Sequence, residues 1–263
     1  MFVGFFVYGM IIKLDQVYCK KGVIMKLYLI IILLGSKLFG QCDANYDGVL
    51  DIFDVLIEVD CVINDCWGDT SITVTDIDGN VYETVLIGEQ RFMMPNLIVE
   101  HFQNGNEIPN VTDNADWSSL SIPAFSFYDD DEENSGTYGY LYNRYAITDD
   151  RKIFPEGWHV PSNDDWQTLV DYLDGNEITG GTLKAIGTLE EGDGLWYAPN
   201  EGATNEVGFT EIPGGYRRND GNYFDMGYIS NFWSSTQIHE NAMWIRAMFH
   251  NSAHVGNLSY SNN

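Results

Sequence analysis

The stretch ITVTDIDGNVYETVLIGEQRFMMPNL, Ile72 to Leu97, limits the possible folds more than any other part of the chain. Apolar and polar residues alternate along it, and the alternation breaks at Asp78-Gly79 and at Gly88-Glu89. A period of two sends successive side chains to opposite faces of a strand, and Asp-Gly is a strong hairpin-turn signal. A helix would need apolar residues three and four apart, so the pattern predicts a three-stranded meander. The same texture of short apolar runs, glycine turns and polar loops continues from Ser71 onward.

PSNDDWQTLVDYLDG interrupts that texture. Ser162 is placed to cap a helix, Asp165 to close a capping box, and Trp166, Leu169, Val170 and Leu173 to form a buried stripe. Gly175 is expected to end this helix, and 180–187 to form a second, shorter one. AMWIRAMF, Ala242 to Phe249, reads as a half-buried strand that turns Met243, Ile245, Ala247 and Phe249 to one side. Ile98 to Gly139 reads as a loop-rich middle, with the acidic run Asp129 to Glu133 as a solvated part of it. The sum is an α+β fold over 71–263: short antiparallel strands, one main helix and long loops.

The first 40 residues read as a processing signal. MKLYLIIILLGSKLFGQ begins at Met25, which is also a candidate start, with charged Lys26, an apolar run and small Gly40. That is the order of a secretory signal peptide, cleaved near Gly40 or Gln41. The run is shorter than the ~20 apolar residues of a membrane span. No stable span is expected after cleavage, an uncleaved anchor being the alternative, and the chain is expected to be secreted or held at the cell surface. Five of the 13 basic residues and one of the 39 acidic residues precede Gln41, so the remainder carries 8 basic against 38 acidic residues. Such a field repels phosphate backbones and anionic membranes, which argues against nucleic acid as a partner.

Between the leader and the large module lies DANYDGVLDIFD, Asp43 to Asp54. A calcium loop of the EF-hand kind places oxygen ligands at positions 1, 3, 5, 7, 9 and 12, with glycine at 6 for the sharp turn. Asp43, Asn45, Asp47, the carbonyl of Val49, Asp51 and Asp54 fill those positions, and Gly48 the turn. Ile52, Val55, Leu56, Val59, Val62 and Ile63 then recur at helical spacing. A calcium-binding loop and helix is therefore expected over 41–70. Cys42, Cys61 and Cys66 cluster there, and a disulfide is compatible with either Cys42–Cys61 or Cys42–Cys66. With Asp at its last position, the loop and helix resemble one repeat of a type I dockerin. Dockerins carry two repeats, and DDDEENSG at Asp129 to Gly136 lacks the glycine and the helix of a second. Calcium is thus the expected cofactor, and cohesin a disfavoured partner.

A wider resemblance rests on several separated motifs in order: TVTDIDGNVYETVLIGEQRFMMPNL, GYLYNRYA, FPEGWHVPSNDDWQTLVDYLDG, GATNEVGFTEIPGGYR, and FWSSTQ with AMWIRAM. Together they resemble the Fibrobacter succinogenes major paralogous domain, from about Ile72 to Asn257. GWHVPSNDDW is also similar to the strand-to-helix junction of formylglycine-generating sulfatase modifiers, which implies a C-type lectin-like core. The first resemblance implies a secreted or surface protein, met beside adhesion or polysaccharide-related modules. Members of the family close with a strand of the GFSVRCV kind, whereas this sequence reads SYSNN after Leu258; either His254 to Tyr260 partly takes that strand's place, or the first strand is left at an open edge.

Catalytic signatures are sparse. The large module has no cysteine for thiolate chemistry. HENAM, from His239, lacks the second histidine of a zincin helix, and no GxSxG or GxxxxGK[ST] occurs. Glycoside hydrolysis needs only two suitably spaced carboxylates, which the many acids do not single out, so a glycan-acting hydrolase or modifier-like enzyme stays as the alternative. The EPN and QPD tripeptides of calcium-dependent sugar lectins are not reproduced. Aromatic rings stack on sugar faces, and Trp196, Tyr197, Tyr216 and Tyr223, in glycine-rich surroundings, are the candidate ligand-binding residues. Trp158, Trp166, Trp233 and Trp244 lie among apolar neighbours and are expected in the core. The expectation is a secreted, non-enzymatic recognition protein for polysaccharide or a cell-surface protein.

Overall fold

The computed structural model describes residues 5–6, 11–13, 73–94, 96–240 and 242–261. All of them fall in one compact unit made of Met1–Lys13 and Ser71–Asn263. The calcium loop, its helix and the three cysteines of 41–70 lie outside the described residues. So does the leader expected over 1–40, except for two short strands.

The meander expected from the opening motif is present. Strands β3 (Val74–Thr75), β4 (Val81–Ile87) and β5 (Gln90–Met94) pair antiparallel in sequence. β4 keeps the period of two from Val81 to Thr84, with Tyr82 and Thr84 buried and Val81 and Glu83 exposed, and loses it at its end, where Leu86 is exposed and Ile87 buried. β2 (Ile11–Lys13) adds to the far side of β5, and β3 lies at the opposite edge.

The larger sheet has the order β12-β11-β10-β1-β7-β6. β10 (Ile229–His239), β11 (Ala242–Phe249) and β12 (Val255–Ser261) form an antiparallel run. β6 (Phe125–Ser126) and β7 (Leu141–Tyr142) pair at the other end. β1 (Phe5–Phe6) runs between the halves, parallel to β10 and antiparallel to β7. A separate hairpin joins β8 (Tyr216–Arg217) to β9 (Tyr223–Phe224).

β11 departs from expectation. Met243, Ile245 and Ala247 are buried, but so are Ala242, Arg246 and Met248 from the other face, while Phe249 is half-buried. Flanked by β10 and β12 and packed on both faces, it is a central strand rather than a half-solvated one. A buried arginine supplied the false polar beat. The Arg246 guanidinium donates from Nη2 to Asn163 Oδ1 at 2.9 Å, and burial pulls it down to about 10.

Five helices are seen among the described residues: α1 (Asn114–Ser119), α2 (Ser135–Tyr138), α3 (Arg144–Thr148), α4 (Asn163–Tyr172) and α5 (Asn176–Leu183). α4 is the main one and has the expected capping box. The Asp165 amide donates to Ser162 Oγ, and Asp165 Oδ2 accepts the Ser162 amide at 2.9 Å. Gly175 does not simply end it; at φ +104° it serves as N-cap to α5, which starts four residues before the expected span. α5 carries Gly180 and Gly181 because backbone lies against it: a Cβ would meet His254 O at 2.7 Å from the first and Gly202 O at 2.3 Å from the second.

Two large buried clusters fill the unit. One gathers Tyr82, Phe125, Tyr140, Tyr142, Trp158 and Trp233, with Phe125 stacked on Tyr140 at 4.6 Å. The other packs Phe92, Trp166, Leu169, Trp196, Phe209 and Phe232 between α4 and the sheets. Trp158, Trp166 and Trp233 are core as expected, whereas Trp244 is only half-buried. The acidic run is mostly exposed, yet ordered as two single turns of 3-10 helix, Tyr128–Asp130 and Glu132–Asn134.

Candidate functional site

The loops between α5 and β10 carry all four aromatic residues singled out from sequence, and the structure sorts them. Trp196 is fully buried, so its ring face is out of a ligand's reach. Its Nε1 donates to Glu211 O at 2.9 Å, and the Lys184 ammonium sits 5.2 Å from its ring centroid. It anchors the loop from beneath.

Two buried ionisable groups fix the same loops. Lys184 Nζ donates to three backbone carbonyls, Glu201, Phe249 and Ser252, at 2.9 to 3.0 Å. An ammonium has three protons, so each is used, and two remote segments, the loop at Glu201 and the turn Phe249 to Ser252, are tied to the end of α5. Burial pulls this amine down to about 8, against the opposing pull of Glu201. Glu211 is 1% exposed, and neither carboxyl oxygen makes a well-formed hydrogen bond. Burial pushes its acid well above the usual carboxylate range, outweighing the Ser230 hydroxyl and the Ile212 amide beside it.

Tyr223 belongs to a structural knot. Its hydroxyl donates to Asp130 Oδ1 at 2.5 Å, and the Arg217 guanidinium lies over its ring at 4.7 Å and over the Trp117 ring at 4.3 Å. Arg217 is itself buried and donates to Val111 O, Thr112 O and Gly221 O. Tyr216 is half-buried and stacks on Phe224, which Arg218 covers in turn. Both rings brace the hairpin.

Tyr197 is different. Its amide donates to Gly227 O at 2.8 Å, and its ring stacks on Tyr228 with centroids 4.2 Å apart and planes 22° apart. The imidazole of His250 meets Tyr228 edge-on at 5.1 Å. The amide of His250 donates to Tyr228 O at 2.9 Å, and its Nδ1 lies 2.8 Å from Ala198 O, which makes it the donor. Tyr228 is 41% exposed, and the exposed Leu189 extends the patch. The result is an aromatic shelf of Tyr197, Tyr228 and His250, locked by backbone hydrogen bonds rather than left to side-chain preference. Gly227 makes it possible. Its φ is +84°, and a Cβ there would lie 2.6 Å from the Tyr197 ring.

Of the residues on this shelf, sequence reasoning singled out Tyr197 and not Tyr228 or His250. The available signal was Gly227, a turn glycine immediately before an aromatic residue. His250 follows β11 in sequence and reaches the shelf only through the fold. Among the described residues, no three His, Cys, Asp or Glu side chains gather as a metal site. The candidate calcium ligands Asp43 to Asp54 lie outside those residues.

The sequence model of the Fibrobacter succinogenes major domain matches residues 85–261. The chain belongs to that family. The shelf, the Arg217 knot and the Lys184 anchor all lie inside the Fibrobacter succinogenes major domain, whereas β3 and the first residues of β4 precede the matched span. No curated protein and no solved structure matches the chain.

Proposed function

We propose that this chain is a secreted, non-enzymatic recognition protein that holds polysaccharide through the loops of a lectin-like domain, with calcium bound at Asp43 to Asp54. The observation that carries the reading is the shelf: two stacked tyrosines, one with 41% of its surface exposed, on a backbone-locked loop. Sugar rings present flat C–H faces that pack on such aromatic surfaces, while a tyrosine hydroxyl and an imidazole edge serve the sugar's hydroxyls. A rigid platform loses little entropy on binding, which favours retention of a repetitive polymer. The excess of 38 acidic over 8 basic residues from Gln41 onward favours neutral glycans over acidic ones.

Retention of the full chain on insoluble neutral polysaccharides, with and without EDTA, tests this reading. Retention that Tyr228→Ala lowers at least ~10-fold supports it. Binding to cell-surface protein alone, or turnover of the polysaccharide, contradicts it.

A further inference from the structure

A second feature lies apart from the shelf and shares no residue with it. The turn 76–80 is held by the Asp76 carboxylate, which accepts the amides of Asp78 and Asn80 at 2.9 Å, Asn80 Nδ2 at 2.9 Å and the Tyr82 hydroxyl at 2.5 Å. Fixed in this way, Asp78 grips the next segment. Its Oδ2 accepts the amides of Glu100 and His101, and its Oδ1 pairs with His101 Nδ1 at 2.6 Å. The imidazole is therefore oriented, with Nε2 as its remaining polar atom.

Opposite stands the segment 152–158. Gln103 joins it to the first wall, its amide donating to Lys152 O at 2.9 Å and its Nε2 to Phe154 O at 2.6 Å. Lys152 itself adopts φ +59°, a left-handed conformation that a non-glycine residue takes at a cost. Between the walls opens a cleft of about 430 Å³, within the roughly 300–1,000 Å³ of small-molecule sites. Ile77 and Phe154 are among its apolar lining residues, and His101, Gln103, Lys152 and Glu156 among its polar ones. Among the described residues neither Lys152 nor Glu156 is spent in an ion pair.

We infer that this cleft is a second binding site, taking one neutral glycosyl unit. A sugar ring needs donors and acceptors set around an apolar patch, and this lining offers both within two walls already held by hydrogen bonds. The opposed charges of Lys152 and Glu156, together with the acidic chain, disfavour an anionic ligand. The inference rests on the polysaccharide reading above and adds a separate site to it.

Amide chemical-shift mapping of the full chain with cellohexaose, xylohexaose and mannohexaose, and with an oligogalacturonate as the acidic control, tests it. Shifts are expected at 75–77, 101–103 and 152–158 with one of the neutral sugars. They should survive Tyr228→Ala and weaken at least ~10-fold in a Lys152→Gly, Glu156→Gln double variant. Glycine suits the left-handed backbone at 152, so that variant keeps the fold. Shifts confined to Tyr197, Tyr228 and His250 would overturn the second site and leave the shelf standing. Cleft shifts with the oligogalacturonate alone would overturn the neutral-sugar assignment. Silence at both places would overturn both readings.

Discussion

At the scale of single residues, the loops of the candidate site are held around ionisable groups kept out of water. Glu211 makes the sharpest case. Its acid is raised in the folded state, so its stabilising contribution is complete below the ordinary carboxylate range and is lost as pH rises toward the folded value. The wild type is therefore expected to lose stability progressively relative to Glu211→Gln as pH rises above the ordinary carboxylate range, as read from denaturant midpoints of the two proteins at each pH. Lys184 is the converse. Lys184→Met would remove three hydrogen bonds from one ammonium to backbone carbonyls, at a cost of about 3 kcal/mol. That corresponds to a fall in Tm of roughly 6–12 °C for a domain of this size by thermal melting. Neither role is visible in the sequence, where Lys184 and Glu211 look like ordinary surface charges. Their burial follows from where α5 and the 196–211 loop meet, which is a long-range fact. The same reason moved Trp196 from ligand candidate to anchor.

At the scale of elements, local rules succeeded where local chemistry decides. The meander 74–94 follows from alternation and two turn glycines, and α4 follows from its capping box and apolar stripe. Ser162→Ala removes the cap and is expected to cost about 1 kcal/mol, measurable as a shifted urea midpoint with an unchanged slope. The rules failed where an element's neighbours decide. The polarity of β11 differs from expectation because Arg246 is buried against the start of α4, and α5 starts four residues earlier than expected because Gly175, read as the end of α4, caps it instead. The shelf belongs to this scale as well. Gly227→Ala has no room for its methyl group and loses its preferred backbone, so it should separate Tyr197 from Tyr228. The expected result is a loss of polysaccharide retention with a destabilisation of about 1–2 kcal/mol, the two being read from pull-down and thermal melting of the same preparation.

At the scale of the whole molecule, family membership and the α+β class were legible because several separated motifs keep their order. The shelf was not, since Tyr197, Tyr228 and His250 are drawn from positions spread over 54 residues of chain. The calcium reading can be tested without reference to that face. Calcium is expected to raise the Tm of the full chain, EDTA to reverse the gain, and Asp47→Ala to abolish it, because binding to the folded state alone stabilises by mass action. The central claim concerns the shelf, and the most direct measurement is calorimetric titration of wild type and Tyr228→Ala with a neutral hexasaccharide that the wild type retains as polymer. The account predicts at least a ~10-fold weaker affinity for the variant, with its Tm within about 2 °C of wild type because Tyr228 is partly exposed. Equal affinities in the two proteins would contradict it.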